Sequence, residues 1–128
     1  MVNRCGGRVA FDPQHLLVLP MTLPLSAQVV EASPAHPFLG VRVELDPAAV
    51  AGMIDQLGPA APPRADAPGL LLSTRTTGPL LDAVLRLVRL LDAPAEAAVL
   101  APLALREIHY RLLAGEAGSR LHGLCAPD

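Results

Sequence analysis

The feature that most constrains this chain is a change of hydrophobic period close to Asp46. Before that point, residues 38–45 alternate between apolar and polar side chains, which is the two-residue period of a β-strand with one covered face. After it, the apolar residues of 50–57 recur at every third or fourth position, which is the period of an amphipathic helix. The change predicts an α+β chain in which the strands come first and the helices follow.

The strand-rich part is predicted over residues 6–46. Its apolar segments are short, rich in Val and Leu, and bounded by Pro, Gly, Ser or Asp, which is typical of antiparallel strands joined by tight turns. The predicted strands are residues 8–11, 15–20, 25–32 and 38–45.

The helical part is predicted over residues 47–122 and contains about three α-helices. Asp46 is a good N-cap and Pro47 suits the first helical position, so a helix is expected over Pro47–Leu57. The later elements are a short strand over 70–73, a second helix that begins at 77–79 and breaks at 92–94, and a third helix over 101–114 that Gly115 ends. We interpret the residues beyond Gly118 as the start of a linker.

Composition excludes several classes of protein. With 128 residues, the chain is long enough for one domain with a real core, and Leu, Val and Ala must fill that core because only Phe11, Phe38 and Tyr110 are aromatic. The net charge of -2 and the lack of a basic stripe argue against nucleic-acid binding by this segment. No apolar run is long enough for a membrane span or a signal peptide, so we expect a cytoplasmic protein with free thiols.

The third predicted helix carries a stripe of apolar residues and one aromatic anchor. Leu105, Ile108 and Leu112 lie at helical spacing and are expected to form its packing face, whereas Tyr110 could anchor the helix at an interface. Glu107 and Arg111 are spaced for an i, i+4 ion pair, which is more often part of a solvated helix face than of an interface.

Several ordered stretches of the chain are similar to the N-terminal domain of AraC-type transcription regulators, over nearly the whole length. They read GGRVAFDPQHLLVLPMTLPLSAQVVEAS, HPFLGVRVELDPAAVAGMI and, near the end, LREIHYRLLAGEAGSRL. The resemblance implies a cupin-like antiparallel β-barrel or sheet, here partial because only five residues precede Gly6, followed by the helices. It further implies an effector-sensing domain that forms a homodimer, with DNA binding assigned to a C-terminal domain that these residues do not contain.

If the implied barrel binds a small-molecule effector, its lining comes from inward-facing strand positions. Those positions favour a small ligand that is apolar or weakly polar, although a barrel packed solid would show the same pattern. The candidate pocket residues are Leu17, Leu19, Val29, Leu39, Val41 and Val43.

No set of residues predicts catalysis, a metal or another cofactor. A cupin metal site needs a His-x-His pair with a following Glu, and the chain has none, although His15 and His36 could face each other in a barrel. The serines lack a catalytic context. Cys5 lies between Arg4 and Arg8, which makes it the candidate for a reactive thiol.

Two other functions stay open at this point. A small cupin-type metalloenzyme would require His15 and His36 to lie within a few ångströms of each other. A stand-alone interaction module would pair with other proteins through an open sheet edge or through the helices.

Overall fold

The described part of the chain is built mainly from helices. The computed structural model describes residues 2–4, 7–9, 15–18, 26–27, 33–35, 37, 40–63 and 72–125. Within these residues the helices are α1 (Pro47–Leu57), α2 (Gly78–Arg89), α3 (Pro94–Ala114) and α4 (Gly118–Cys125). Single 3-10 turns, Gly58–Ala60 and Leu90–Asp92, follow α1 and α2.

Short strands form two separate sheets. The strands are β1 (Val2–Arg4), β2 (Gly7–Val9), β3 (His15–Val18), β4 (Ser26–Ala27) and β5 (Leu72–Arg75). One sheet has the order β2-β1-β4, and the other pairs β3 with β5; all pairs are antiparallel. The register of the second sheet places Leu16 opposite Thr74.

The expected cupin-like barrel is wrong for the described residues. Those residues are mostly helical, and their sheets have three and two strands instead of one closed barrel. Two or three strands are too few to close into a barrel, in which eight strands already leave an interior just wide enough for side chains. The pairing also departs from a meander of neighbouring strands, because β3 pairs with β5, which lies beyond α1 in the sequence.

The strand expected over 38–45 is also wrong for the part that the structure describes. Residues 40–46 have no regular secondary structure. The alternation of apolar and polar residues in this segment arises because one of its sides is covered. Val43 and Leu45 are half-buried, while Arg42 and Glu44 are exposed. Helices provide the cover, since Leu45 packs against the helical core.

Local capping explains why the starts of α1 and α2 match the sequence prediction. The Asp46 carboxylate accepts a hydrogen bond from the Ala48 N–H at 3.0 Å, and Pro47 is the first residue of α1. Gly58 ends this helix with a φ of 56°, a conformation that glycine adopts without a steric penalty. At the start of α2, the Thr77 hydroxyl accepts from the Leu80 N–H at 3.3 Å.

The later elements depart from the prediction in three ways. Strand β5 begins two residues later than expected, and α3 begins at Pro94 and continues through Pro102. Pro102 removes one helical hydrogen bond, to the carbonyl of Ala98, which lies at an exposed position of the helix. The residues beyond Gly118, interpreted as a linker, form α4.

The hydrophobic core lies between α1, the start of α2, the second half of α3, and α4. Its fully buried members include Leu113, Leu121 and Val50.

His122 connects α4 to the segment after α1, because its Nδ1 donates a hydrogen bond to the Pro62 carbonyl at 2.7 Å. The His122 side chain is half-buried. Among the described residues, no helix combines the length and hydropathy needed to cross a membrane.

We expect Gly118→Ala to lower the free energy of unfolding by about 1–3 kcal/mol, as overpacking does. A Cβ at Gly118 would overlap the carbonyl oxygen of Leu113, and backbone cannot move aside as a flexible side chain can. The measurement is urea unfolding followed by circular dichroism.

The matched control is Gly52→Ala in the middle of α1. A Cβ there meets nothing within 4 Å, so alanine should raise the free energy of unfolding by about 0.5–1 kcal/mol through its higher helix propensity. Equal effects of the two substitutions would contradict the close packing at the start of α4.

Candidate interaction and effector-binding surfaces

His109 links α3 to the start of α1 through both of its ring nitrogens. Nε2 accepts a hydrogen bond from the Asp46 N–H at 3.0 Å, so the ring hydrogen lies on Nδ1 and is donated to the Leu105 carbonyl at 2.5 Å. The side chain is only 5% exposed. Since Asp46 is the N-cap of α1, this histidine fixes the position at which residues 40–46 enter the helix.

The segment held in this way forms one wall of an apolar groove, here called the α2–α3 groove. Its volume is about 450 Å³. The opposite wall comes from the second half of α2, the turn after it and the first half of α3. The lining residues are Val41, Arg42, Val43, Glu44, Leu87, Val88, Leu90, Leu91, Ala97, Ala101 and Leu105.

Two of the six candidate pocket residues lie in this groove. Val41 is 57% exposed and Val43 is half-buried, and both face the helices instead of a barrel interior. Leu17 belongs to β3, whose backbone is described but whose side chain at that position is not. Leu19, Val29 and Leu39 lie outside the described residues.

Helix α2 leaves several of its apolar side chains exposed. Leu80 and Ala83 are buried, whereas Leu81, Leu85 and Val88 are exposed by 46, 41 and 36%. The exposed residues are spaced i, i+4 and i+7, so they form one stripe beside the buried face, here called the α2 stripe.

A second groove, the α1–α3 groove, lies on the other side of α3. Because successive helical residues are about 100° apart, Leu103 points away from Ala101, which lines the first groove. The volume of the second groove is about 480 Å³. Its lining residues are Met53, Gln56, Leu57, Leu103, Arg106, Glu107 and Tyr110.

Charged side chains along this second groove connect the helices. Arg86 on α2 binds Glu107 at 2.7 Å, and Arg111 binds the other oxygen of the same carboxylate at 3.3 Å. The hydrogen bond from Arg86, together with that from Arg111, lowers the pKa of the Glu107 carboxyl below its usual range. The i, i+4 pair expected from the sequence is thus present, with Arg86 as an additional partner from another helix.

The residues proposed to pack the third helix lie in different environments. Ile108 and Leu112 are buried, Leu105 is half-buried, and Tyr110 is 39% exposed, with the Arg111 guanidinium 5.8 Å from its ring centre. Tyr110 therefore lies at the rim of the α1–α3 groove.

The residues considered for chemistry lie mostly beyond the described part. Cys5 and His36 fall outside it, and His15 is half-buried in β3, so the thiol and the His15–His36 pairing stay predictions. Within the described residues, no three His, Cys, Asp or Glu side chains lie close enough together to hold a metal ion.

His109 is the positioning residue that sequence reasoning missed. The sequence places it beside Ile108, at the edge of the packing stripe, but nothing local shows that its acceptor nitrogen meets a backbone N–H 63 residues away. The sequence signal for this contact is weak: a single His lies at the edge of a buried stripe, and a helix that begins with Pro elsewhere in the chain has a backbone N–H near its start that needs an acceptor.

One comparison with known proteins gives a match. A sequence model of the family described as AraC-type transcriptional regulator N-terminus matches residues 5–120. This is a family of regulatory domains and not of enzymes. No curated protein and no solved structure matches the chain.

We expect His109→Asn to lower the free energy of unfolding by about 1–3 kcal/mol, because the Asp46 N–H is left without its buried acceptor. Amide hydrogen exchange at Asp46 should accelerate in the same variant. Urea unfolding and exchange followed by NMR measure the two effects.

His109→Gln is the matched control, since its longer side chain places an amide oxygen close to the position of Nε2. It should keep slow exchange at Asp46 and most of the stability. If His109→Asn and His109→Gln show the same stability and the same exchange rate at Asp46, the hydrogen bond to the Asp46 N–H does not hold segment 40–46 in place.

Proposed function

Because the chain belongs to the AraC-type transcriptional regulator N-terminus family, we propose that it senses a small-molecule effector and dimerises within a cytoplasmic regulator. In this proposal a separate, C-terminal domain makes the sequence-specific contacts with DNA. The net charge of -2 supports that division, because a surface that binds DNA carries an excess of basic residues.

The observation that carries the effector proposal is the α2–α3 groove. A volume of about 450 Å³ suits a small molecule, and the mostly apolar lining with Arg42 and Glu44 at the segment side suits a ligand of low polarity with one or two polar groups. This location differs from the barrel interior that the sequence suggested.

The groove also offers a route from ligand to helices. A ligand there touches both α3 and the segment that His109 holds at the start of α1. Binding that favours one placement of this segment would change how α1 sits on α3, and a ligand shifts a conformational equilibrium only through such a difference in contacts.

The α2 stripe supports the dimerisation proposal. Leu81, Leu85 and Val88 expose apolar surface on one side of a helix, and two copies related by a twofold axis could bury it against each other. Each side chain then enters the interface twice, once from each protomer.

The effector proposal is tested with Ala97→Phe, which places a large side chain in the α2–α3 groove. A library of small aldehydes, aromatics and sugars is screened against the unmodified chain by ligand-observed NMR and thermal shift. We expect at least one compound to bind, and Ala97→Phe to weaken its binding by about tenfold or more, as loss of a well-filled apolar site does.

Ala98→Phe is the matched control, because Ala98 is exposed on α3 and lies outside the groove lining. Val41→Asp, at an exposed groove position, gives a second variant that does not depend on how α3 tolerates bulk. If neither Ala97→Phe nor Val41→Asp changes the affinity for the compound, the effector does not bind in the α2–α3 groove.

The dimerisation proposal is tested with Leu85→Glu. Placing two buried carboxylates in the interface should cost about 3 kcal/mol or more, which raises the dimer dissociation constant by about a hundredfold. Sedimentation velocity of the wild-type and variant chains measures the effect, with circular dichroism to confirm that helix content is kept.

Leu103→Glu serves as the control, because Leu103 is 60% exposed but lies away from the α2 stripe. A wild-type chain that is monomeric at every concentration tested would refute dimerisation through this stripe.

A further inference from the structure

A stripe of exposed side chains runs along α3 on the side of the α1–α3 groove. Val99, Leu103, Arg106 and Tyr110 are separated by four, three and four residues, so they lie on one face of the helix. Val99 and Leu103 are 68 and 60% exposed. The stripe extends over about 16 Å, or three helical turns.

An open groove lies beside this stripe. Met53, Gln56 and Leu57 of α1 form its other wall, and Met53 at 4% exposure forms an apolar floor. Open apolar grooves can receive an amphipathic helix, whose own apolar residues at i, i+3, i+4 and i+7 enter the groove.

The charged residues along the groove indicate which sign of charge a partner should carry. Arg106 donates from Nη2 to the Gln56 side-chain oxygen at 3.1 Å, which is a neutral acceptor. Among the residues that the structure describes, it forms no ion pair. The carboxylate of Glu107 is already shared by Arg86 and Arg111, which leaves the Arg106 guanidinium as the charged group of the groove lining that can pair with an incoming carboxylate.

We propose that the α1–α3 groove docks an amphipathic helix of another protein whose apolar stripe is flanked by acidic residues. Arg106 then exchanges its neutral amide partner for a carboxylate of the incoming helix, and Val99 and Leu103 receive its apolar side chains. A charge-assisted hydrogen bond is about twice as strong as a neutral one, which favours this exchange.

The charge pattern disfavours a second copy of this chain as the occupant. Arg106 lies near the middle of the stripe, so an antiparallel twofold pairing would bring the two Arg106 side chains close to each other. Like charges facing each other across an interface oppose association.

The test uses a displayed library of helices of about 18 residues with a fixed apolar stripe and with Glu, Lys or Ala at the flanking positions. The bait is the whole 128-residue chain. We expect selection to enrich Glu at the flanks, and the enriched peptide to bind in a fluorescence-anisotropy assay. Arg106→Glu should weaken that binding by about tenfold or more and should shift the selection toward Lys.

Arg89→Glu is the matched control, because Arg89 is an exposed arginine of α2 that lines neither groove. It should change the peptide affinity by less than about twofold if the effect of Arg106 is a direct contact. Circular dichroism of both variants confirms that the helices are intact.

Three results would overturn the proposal. The first is equal enrichment of Glu, Lys and Ala, or an enriched peptide that binds Arg106→Glu as tightly as the unmodified chain. The second is binding to anionic lipid vesicles that depends on Arg106 while no helix is enriched. The third is a dimer that Leu103→Glu converts to a monomer, which would assign the groove to a second copy. Failure of the effector or dimerisation tests at the α2–α3 groove and the α2 stripe leaves this proposal standing, because it uses a different face of α3.

Discussion

The arrangement of the two grooves depends on the buried side chain of His109. Its ring joins a backbone N–H at the start of α1 to a carbonyl of α3, so it sets where the irregular segment 40–46 meets the helices. Leu45 adds a hydrophobic contact between the same segment and the helical core. Hydrogen bonds are directional whereas apolar contacts are not. The His109 imidazole therefore fixes the position of segment 40–46 along the helices more narrowly than apolar packing alone would.

Helix α3 is the element that the two grooves share. It contributes a wall to both grooves from opposite sides, contacts α1, α2 and α4, and carries the glutamate that Arg86 and Arg111 bind. Small buried residues allow these helices to approach closely, since Ala83 and Ala104 are both nearly inaccessible. A small movement of α3 would therefore change the shape of both grooves, because packed helices shift as units.

Sequence reasoning succeeded where structure depends on neighbouring residues and failed where it depends on distant ones. The bounds of α1 follow from Asp46, Pro47 and Gly58, which act within one turn of the helix ends. The alternation of residues 40–45 is equally clear, but alternation does not show whether a sheet or a helix covers the segment. In the same way, the spacing of Glu107 and Arg111 revealed one ion pair, while the partner from α2 became visible only in three dimensions. The grooves combine segments far apart in sequence, and so periodicity could not locate them.

The scarcity of aromatic residues gives the rim of the α1–α3 groove a spectroscopic property. The chain contains one Tyr and no Trp, so its near-ultraviolet absorption and emission arise chiefly from Tyr110. That ring is 39% exposed and lies beneath the Arg111 guanidinium, where its emission responds to solvent and to neighbouring charge. The protein thus carries its own optical probe at this surface, and occupation of the groove can be followed without attaching a label.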